Sequence, residues 1–462
     1  MRLSRIQNFV IIALVIAAVI QTGKLWLYNN DSHNFFYTVF QNIGKNNIKY
    51  SGETYILEPL EIVAGYGNKK FSKFYAQSDE TGLYEQGNDA IFEVLTKGEF
   101  VKESELEWNS VLASKCVIFK YAHAITLDDF EDGFEKNNVF EKYIEFDSIV
   151  IYPQMNYGSI LRVLFINSQT EKVYECSVSK SKSAQNLYNT LEKAQNEEMK
   201  SDNFITYIST KQSGFNIFSD DIFVPQWSET EFVYPVLKRV NPFEKNGEFS
   251  LATLEMYIDQ FFDSSTSKWS ETDNTGTYLF SDDDIVVKYM TTGLLEYYNY
   301  EPVDRSINQS FITSYSVAKS FIEQDTSLKT DVYLADWQIN EDEAVYYFNY
   351  TVNNMPLIPS DVLSNMTDMK YCIEISVKNN SVKKYRRIAY NYSKDNKTAV
   401  ADKEFIKALD ETITVMYENN SENIVTNVQD IKLGYYMSGR DILKLKWFTT
   451  INGEVHSVDC EK

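Results

Sequence analysis

Two serines precede a lysine by three residues, the spacing with which penicillin-recognising serine enzymes activate a nucleophile. The pairs are Ser177–Lys180 and Ser316–Lys319, and residues 201–203 read Ser-Asp-Asn, the second motif of those enzymes. The lysine must stand one helical turn after the serine, so that its amine takes the hydroxyl proton. Ser177 lies in a predicted strand, Ser316 in the middle of a predicted helix, and the third motif is missing. A serine acyl enzyme is therefore the least favoured of three functions.

Four cysteines are the other candidate nucleophiles. Cys116 and Cys176 fall in the first exported domain predicted below, and Cys372 and Cys460 fall in the last. Of the three pairings that four cysteines allow, Cys116–Cys176 with Cys372–Cys460 keeps both bridges within domains. Free thiols buried on strands are an equal alternative, and the sequence leaves this choice open.

The sequence predicts no metal and no cofactor. The histidines, His33, His123 and His456, are scattered, and no cysteine or histidine pair has zinc-ligand spacing. The acidic runs 128–133 and 282–284 resemble calcium loops only in charge, because apolar residues stand at ligand positions. Glycine-rich phosphate-binding motifs are absent from the sequence. Solvated acidic turns are the prediction for both runs.

Charge and composition exclude several classes of protein. The 462 residues include 44 Lys and Arg against 66 Asp and Glu, a net charge of −22. A chain this acidic repels phosphate backbones, so nucleic acid is not a predicted partner. With 44% hydrophobic, 15% aromatic and 24% charged residues, the chain is neither a disordered tail nor a collagen-like repeat nor a polytopic membrane protein.

An N-terminal apolar segment determines the predicted location. Residues 6–28 are long enough for a helix across about 30 Å of hydrocarbon. Arg2 and Arg5 precede the segment, and Trp26 and Tyr28 stand where interfacial aromatic residues belong. The basic flank keeps the N-terminus in the cytoplasm, so we expect a single-pass anchor with an extracytoplasmic bulk. A cleaved signal peptide is the alternative, but the segment lacks a good cleavage site.

Beyond the anchor, helical and strand-like segments alternate in a pattern typical of the α+β class, with antiparallel sheets and helices packed on one face. Ser250 is predicted to cap a helix, residues 310–324 are predicted to be helical, and Asn379-Asn380 is predicted to form a hairpin turn. A helix is predicted over residues 183–196, with Leu187, Leu191 and Ala194 on its buried face. Trp447, which follows the strand-like residues 442–446, is predicted to be buried. The predicted organisation is a cytoplasmic tip (1–5), a transmembrane helix (6–28), a stalk (29–48), and domains at 49–196, 197–305 and 306–462.

Several short motifs occur in a fixed order along most of the chain. They are Leu25-Trp26-Leu27-Tyr28, Gly293–Asn299, Val345–Tyr350, Asn353–Leu357, Val382–Arg387, Asp430–Tyr435, Trp447 and Asn452-Gly453. With the anchor, this series resembles the YycH/YycI (WalH/WalI) family of membrane-anchored regulators. The length fits the YycH branch, and the last domain is YycI-like. The sequence departs from the family where Asn354 and Met355 precede Pro356, and where Lys446 replaces a proline.

The resemblance implies a non-enzymatic regulator of a sensor histidine kinase of the WalK (YycG) type, in a two-component system that controls cell-wall metabolism. Its implied partners are that kinase and a YycI-like protein, contacted through transmembrane and extracytoplasmic segments. The alternative is an exported protein that binds a ligand or a cell-wall polymer, with aromatic residues lining a groove.

Small side chains form a strip on the predicted anchor. Ala13 and Ala17 are four residues apart, with Ala18 beside them. Helices in lipid associate where small residues let their backbones approach closely. The same alanines also suit an ordinary spanning helix. The resemblance implies that the strip contacts the kinase, because the family's transmembrane helices are implicated in that contact.

Overall fold

The computed structural model is an α+β structure of antiparallel sheets with few helices, as the sequence predicts. It describes residues 55–67, 69–104, 108–132, 144–155, 158–198, 205–215, 217–218, 222–226, 231–262, 268–302, 310–340, 343–419 and 427–461. Residues 54–462 form one compact unit. We call residues 55–226 the N-terminal lobe and residues 231–461 the C-terminal lobe.

The N-terminal lobe is built on a nine-stranded sheet with the order β11-β10-β3-β2-β5-β7-β8-β9-β4, and β1 pairs with β6 beside it. Its strands are β1 Tyr55–Ile56, β2 Glu61–Tyr66, β3 Phe71–Phe74, β4 Glu99–Ser104, β5 Lys115–Thr126, β6 Glu131–Asp132, β7 Glu145–Gln154, β8 Ile160–Asn167, β9 Lys172–Val178, β10 Thr206–Ser209 and β11 Phe223–Gln226. Its helices are α1 Leu83–Lys97, α2 Trp108–Leu112, α3 Leu127–Phe130 and α4 Lys182–Glu198, with a 3₁₀ turn at Ala76–Ser78.

Apolar residues at helical spacing hold α1 and α4 on this sheet. Both helices contact strands β7 and β8, and they contact each other. Leu187, Leu191 and Ala194, the predicted buried stripe of α4, are all buried. In α1 the close approach requires a glycine, since a Cβ on Gly87 would lie 2.5 Å from the Phe119 ring. These contacts bury one face of each helix in the core.

The C-terminal lobe contains the remaining strands. They are β12 Phe232–Val240, β13 Glu244–Lys245, β14 Glu248–Phe249, β15 Trp269–Thr272, β16 Tyr278–Ser281, β17 Ile285–Tyr289, β18 Leu294–Asn299, β19 Asp331–Asn340, β20 Glu343–Val352, β21 Met355–Pro359, β22 Ile373–Lys378, β23 Ser381–Ile388, β24 Asn391–Ala401, β25 Val428–Met437, β26 Ile442–Leu443, β27 Leu445–Ile451 and β28 Glu454–Asp459. Its helices are α5 Leu251–Ile258, α6 Phe311–Glu323, α7 Asp361–Thr367 and α8 Phe405–Asn419, with a 3₁₀ turn at Asp259–Phe261.

Most of these strands join one large sheet with the order β15-β16-β17-β18-β23-β22-β20-β21-β25-β27-β28, and β19 pairs with β20. All pairs in it are antiparallel except β21 with β25. A three-stranded sheet, β24-β12-β26, connects β12 to strands from the end of the chain. Residues far apart in sequence therefore share one folded lobe.

Local sequence signals explain the element boundaries. The hydroxyl oxygens of Ser250 and Ser310 each accept a hydrogen bond from the backbone N–H three residues later, so Ser250 caps its helix as predicted and Ser310 caps the predicted helix that follows it. Asn379 and Asn380 both have positive φ, which forms the predicted turn between β22 and β23. Trp447 is completely buried, as the sequence also predicts.

The predicted transmembrane helix (6–28) and stalk (29–48) lie outside the described residues. Among the helices that the structure describes, none is both long enough and apolar enough to span a bilayer. Strands β10 and β11 belong to the nine-stranded sheet, although they follow residue 197. The domain boundaries at 196/197 and 305/306 stay predictions.

Candidate functional site

The alanine strip proposed for partner contact, Ala13, Ala17 and Ala18, lies outside the described residues. It therefore stays a prediction from the sequence. Residues 201–203, the Ser-Asp-Asn motif, also lie outside the described residues, as do His33 and part of the acidic run 128–133. The other candidate residues lie in described segments, where their surroundings can be compared with the chemistry they were considered for.

The two Ser-x-x-Lys pairs have different surroundings. Ser177 lies on β9, and Lys180 stands in the following turn with a φ of 56°, so the two do not share a helical turn. Ser316 and Lys319 do share α6, but Ser316 is only 4% exposed and the Lys319 ammonium forms an ion pair with Glu58. An ammonium held by a carboxylate keeps its proton, so this arrangement favours a structural role for Lys319 over that of a general base.

All four cysteines are buried free thiols in the structure. Burial raises the pKa of Cys116, Cys176 and Cys372 to about 12 and that of Cys460 to about 11. A thiol must lose its proton to act as a nucleophile. The structure therefore shows the free-thiol alternative, with the cysteines as small apolar side chains of the core.

In the part of the chain that the structure describes, the acidic run 282–284 forms a local turn, whereas residues 128–132 lie in the short helix α3 and in β6 and not in the predicted turn. The Asp282 carboxylate accepts hydrogen bonds from the backbone N–H groups of Asp284 and Ile285 at the start of β17. Asp129, in α3, accepts a hydrogen bond from the Thr126 hydroxyl at 2.6 Å. No group of three or more His, Cys, Asp or Glu side chains in the described segments is arranged to hold a metal ion.

The two lobes meet through polar and aromatic contacts. Glu58 is 4% exposed and accepts a hydrogen bond from the Tyr315 hydroxyl at 3.0 Å, besides its ion pair with α6. The rings of Tyr75 and Tyr333 stack with their centroids 4.1 Å apart. Next to them, the Gln77 side-chain oxygen accepts a hydrogen bond from the Val332 backbone N–H at 3.3 Å. These contacts fix the position of the first lobe on β19 and α6.

Partly buried charges from both lobes lie close to this contact. Lys73 and Glu61 pair at 3.0 Å in the N-terminal lobe, and Lys432 and Asp430 pair at 2.8 Å on β25. Burial alone would lower the pKa of Lys73, but the carboxylates of Glu61 and Asp430 more than offset it and raise that pKa. The ammonium groups of Lys432 and, across the lobe contact, Lys73 lower the pKa of Asp430 against the effect of its own burial. Each lysine therefore interacts with a carboxylate of the other lobe, whereas the carboxylates of Glu61 and Asp430 repel each other.

A histidine forms a titratable part of the same contact. His123 Nε2 lies 2.6 Å from Asp336 Oδ1, and the Tyr371 hydroxyl donates to Asp336 Oδ2 at 2.6 Å. The hydrogen bond to Asp336 raises the pKa of His123 despite partial burial. Burial alone would raise the pKa of Asp336, yet the bonds from His123 and Tyr371 lower it. Asp336 is thus ionised where His123 titrates.

Replacing His123 by glutamine will therefore destabilise the protein more at pH 5.5 than at pH 9. A histidine whose pKa is raised on folding stabilises fully below its unfolded pKa of about 6.5, and the stabilisation is lost as the pH rises through the folded pKa. Because the imidazole is half exposed, we expect a coupling of about 0.5 kcal/mol at pH 5.5. Urea denaturation of H123Q, D336N and the double variant at both pH values measures this coupling. A coupling of equal size at both pH values would contradict the assignment.

A cleft of about 1010 Å³ opens between the lobes beside this contact. Its walls come from β3 and the 3₁₀ turn on one side, and from β12, β24, the start of β19 and the β20–β21 turn on the other. A chamber of about 200 Å³ adjoins it, and both spaces are lined by Gln77, Lys329, Thr330 and Asp331. Its size makes the cleft the candidate binding site of the described structure. Sequence reasoning did not find it, because its walls come from separate segments that share no motif.

Comparison with known proteins relates this architecture to a solved structure. No protein-family model and no curated protein matches the sequence. The crystal structure of YycH from Bacillus subtilis superposes with a TM-score of 0.51 at 15% sequence identity, over 87% of this chain and 95% of that one. The chain has the fold of YycH. The C-terminal domain of Bacillus megaterium YpeB, at a TM-score of 0.24 and 10% identity over 46% of this chain and 94% of that one, is too distant to inform the fold.

The YycH fold confirms, at the level of fold, the resemblance seen in the sequence. Several of the motif residues allow backbone conformations or close backbone contacts that other residues would disfavour. Asn353 and Asn354 both have positive φ and form the tight turn between β20 and β21. A Cβ on Gly293 would lie 2.2 Å from the Tyr390 ring, and one on Gly434 would lie 2.9 Å from the carbonyl oxygen of Pro356. In this chain, these motif residues therefore form a tight turn and allow close contacts between neighbouring segments.

Proposed function

We propose that the protein is a membrane-anchored, non-enzymatic regulator of a sensor histidine kinase of the WalK (YycG) type, in a two-component system that controls cell-wall metabolism. The observation that carries the proposal is the YycH fold, which covers 87% of the chain. The order of the sequence motifs from Gly293 to Gly453 supports the same assignment independently of the superposition. A sensor kinase and a YycI-like protein are the proposed partners.

The proposed topology rests on the sequence of the N-terminal segment. Residues 6–28 form the uncleaved anchor, with Arg2 and Arg5 on the cytoplasmic side and residues 29–462 outside the membrane. The exported part is proposed to comprise the domains 49–196, 197–305 and 306–462. In this arrangement the kinase can be contacted both within the bilayer and by the lobes.

A non-enzymatic role is supported by the surroundings of the lysine and cysteine side chains that were considered as catalytic groups. Lys319 is held by Glu58, and the cysteine thiols are buried with raised pKa values. The alternative function, an exported protein that binds a ligand or a cell-wall polymer, is favoured by one observation, the cleft between the lobes. Deleting the gene separates the two functions, because a kinase regulator must change kinase-dependent transcription in one direction or the other. Unchanged transcription after the deletion would overturn the proposal.

The anchor itself is expected to carry part of the regulation. Replacing Ala13 and Ala17 together by leucine keeps the helix apolar but blocks close helix–helix approach, so we expect kinase-dependent transcription to move towards the level of the deletion strain. The matched control is the double variant I11L/V15L, which has the same spacing on another face and should behave as wild type. If A13L/A17L inserts normally and transcription stays at the wild-type level, the helix is an anchor only, and regulation runs through the exported part.

A further inference from the structure

The cleft between the lobes is lined by charged side chains that form no hydrogen bond or ion pair with the described part of the protein. Glu80 lies after the 3₁₀ turn, Lys329 and Asp331 lie at the start of β19, and Lys394 lies on β24. Within the described segments, none of these four side chains forms a hydrogen bond or an ion pair. Burial at the cleft raises the pKa of Asp331, as expected for a carboxylate without a nearby cation. Charges of both signs are thus available to a ligand.

Most of the neutral polar side chains that line the cleft, in contrast, already form hydrogen bonds within the protein. The Thr351 hydroxyl donates to the backbone carbonyl of Met355, and the Thr330 hydroxyl accepts from the backbone N–H of Tyr392. The Ser72 hydroxyl is bonded to that of Tyr66 at 2.7 Å. These groups complete the hydrogen bonding of the walls. They leave few hydroxyl groups with which to recognise an uncharged sugar.

The aromatic rings of the lining are also unsuited to a glycan. Tyr207, Tyr234 and Tyr392 are 5%, 1% and 7% exposed, so they belong to the core and offer no open face on which a sugar ring would stack. Phe74 and Tyr435 are buried as well, and the partly exposed Phe232 is stacked on Tyr234 with the ring centroids 6.3 Å apart. The sequence-based idea that aromatic residues line a polymer-binding groove therefore finds no support at this cleft. A ligand here must be recognised mainly through charge.

The balance of charge in the cleft differs from that of the whole chain. The described residues that line it include three lysines (Lys73, Lys329, Lys394) and three carboxylates (Asp79, Glu80, Asp331), whereas the chain has 44 basic and 66 acidic residues. Lys73 is paired with Glu61, and Asp79 accepts hydrogen bonds from Thr81, which leaves two charges of each sign for a ligand. This balance favours neither a simple anion nor a simple cation. It complements a ligand that carries both charges.

We propose that the cleft is a binding site for a short zwitterionic peptide, whose ammonium groups pair with Asp331 and Glu80 and whose carboxylates pair with Lys329 and Lys394. The volume of about 1010 Å³ lies at the upper end of the range of roughly 300–1,000 Å³ for small-molecule sites, which suits a few residues of extended chain. The proposal concerns binding to the chain itself and does not depend on the kinase.

Isothermal titration of the full-length chain in detergent micelles tests this site. The probe is the pentapeptide Ala-Glu-Lys-Ala-Ala with free termini, and its neutral counterpart is the N-acetylated, C-amidated Ala-Gln-Gln-Ala-Ala. We expect the charged peptide to bind with a Kd of about 1 mM or below and the neutral one to bind at least tenfold more weakly. Equal binding of the two peptides, or no binding of the charged one, would overturn the proposal.

Variants locate the binding in the cleft. D331N and K329Q should each weaken binding of the charged peptide about tenfold, because each removes a charge-assisted hydrogen bond. K397Q is the matched control, since Lys397 is an exposed lysine of the same strand as Lys394 but does not line the cleft. Thermal unfolding of each variant establishes that it is folded. Binding that D331N and K329Q leave unchanged, or binding of tetra-N-acetylglucosamine in place of the peptide, would show that the assignment is wrong.

Discussion

Replacing Arg387 by methionine will lower the free energy of unfolding by about 3–5 kcal/mol, the usual cost of removing one partner of a buried ion pair. Arg387 and Asp325 are both completely buried, and their side chains meet at 2.8 Å. The substitution leaves the Asp325 carboxylate without its cation in a site that water does not reach. This is a large fraction of the roughly 5–15 kcal/mol by which proteins are stable.

Neighbouring side chains extend the Arg387–Asp325 pair into a buried hydrogen-bond network of the C-terminal lobe. The hydroxyls of Tyr257 and Tyr385 donate to the same Asp325 oxygen at 3.0 and 2.8 Å, and the Arg387 guanidinium donates to Ser327 at 2.7 Å. Burial alone would lower the pKa of Arg387, but the Asp325 carboxylate more than offsets it and raises that pKa further. Helix α5, the loop after α6 and strand β23 are thereby joined at one point.

Urea denaturation of the purified full-length chain measures the effect. R440M is the matched control, because Arg440 is exposed and forms no ion pair among the described residues, so its loss should change stability by less than about 0.5 kcal/mol. The double variant R387M/D325L should recover part of the loss, since an apolar pair does not leave a buried charge. Equal stability of R387M and R440M would contradict the assignment.

Replacing Trp447 by alanine will cost about 3–5 kcal/mol, the usual effect of removing a large buried aromatic side chain. Trp447 is 0% exposed on β27, and its indole N–H donates to the backbone carbonyl of Lys403 at 2.8 Å. The variant thus leaves a cavity and an unpaired carbonyl at the start of α8. Both effects act on the packing of this helix against β27 and β28, which it contacts.

Thermal unfolding monitored by circular dichroism detects this loss without relying on tryptophan fluorescence. The matched control is W269A, since Trp269 is 53% exposed on the edge strand β15 and its removal should leave the midpoint almost unchanged. A midpoint for W447A as high as that for W269A would show that the indole is not part of the core.

Much of the secondary structure is predictable from the sequence because its signals are local. The Ser250 cap, the paired asparagines and the stripe along α4 each act within a few residues, and each predicted the element that the structure has. Trp447 was predicted to be buried because it follows the strand-like residues 442–446. In these segments the intrinsic preferences and the final packing agree.

The long-range contacts were not predictable in the same way. Arg387 was part of a sequence motif, but nothing near it indicated that Asp325, sixty-two residues earlier, would neutralise it. Strands β10 and β11 complete the first lobe's sheet although the sequence assigns them to the following domain. The cleft is lined by short segments of both lobes that are far apart in the sequence. Such features depend on which strands become neighbours, and a single sequence does not specify that.

The most direct test of the proposed function is crosslinking in intact membranes followed by identification of the partners. Cells that produce the tagged full-length chain are treated with an amine-reactive crosslinker before solubilisation, and the covalent products are identified by mass spectrometry. The account predicts that a sensor histidine kinase is crosslinked to this chain and is absent from the sample without crosslinker. Crosslinked products without any sensor kinase, in cells where that kinase is produced, would contradict the account.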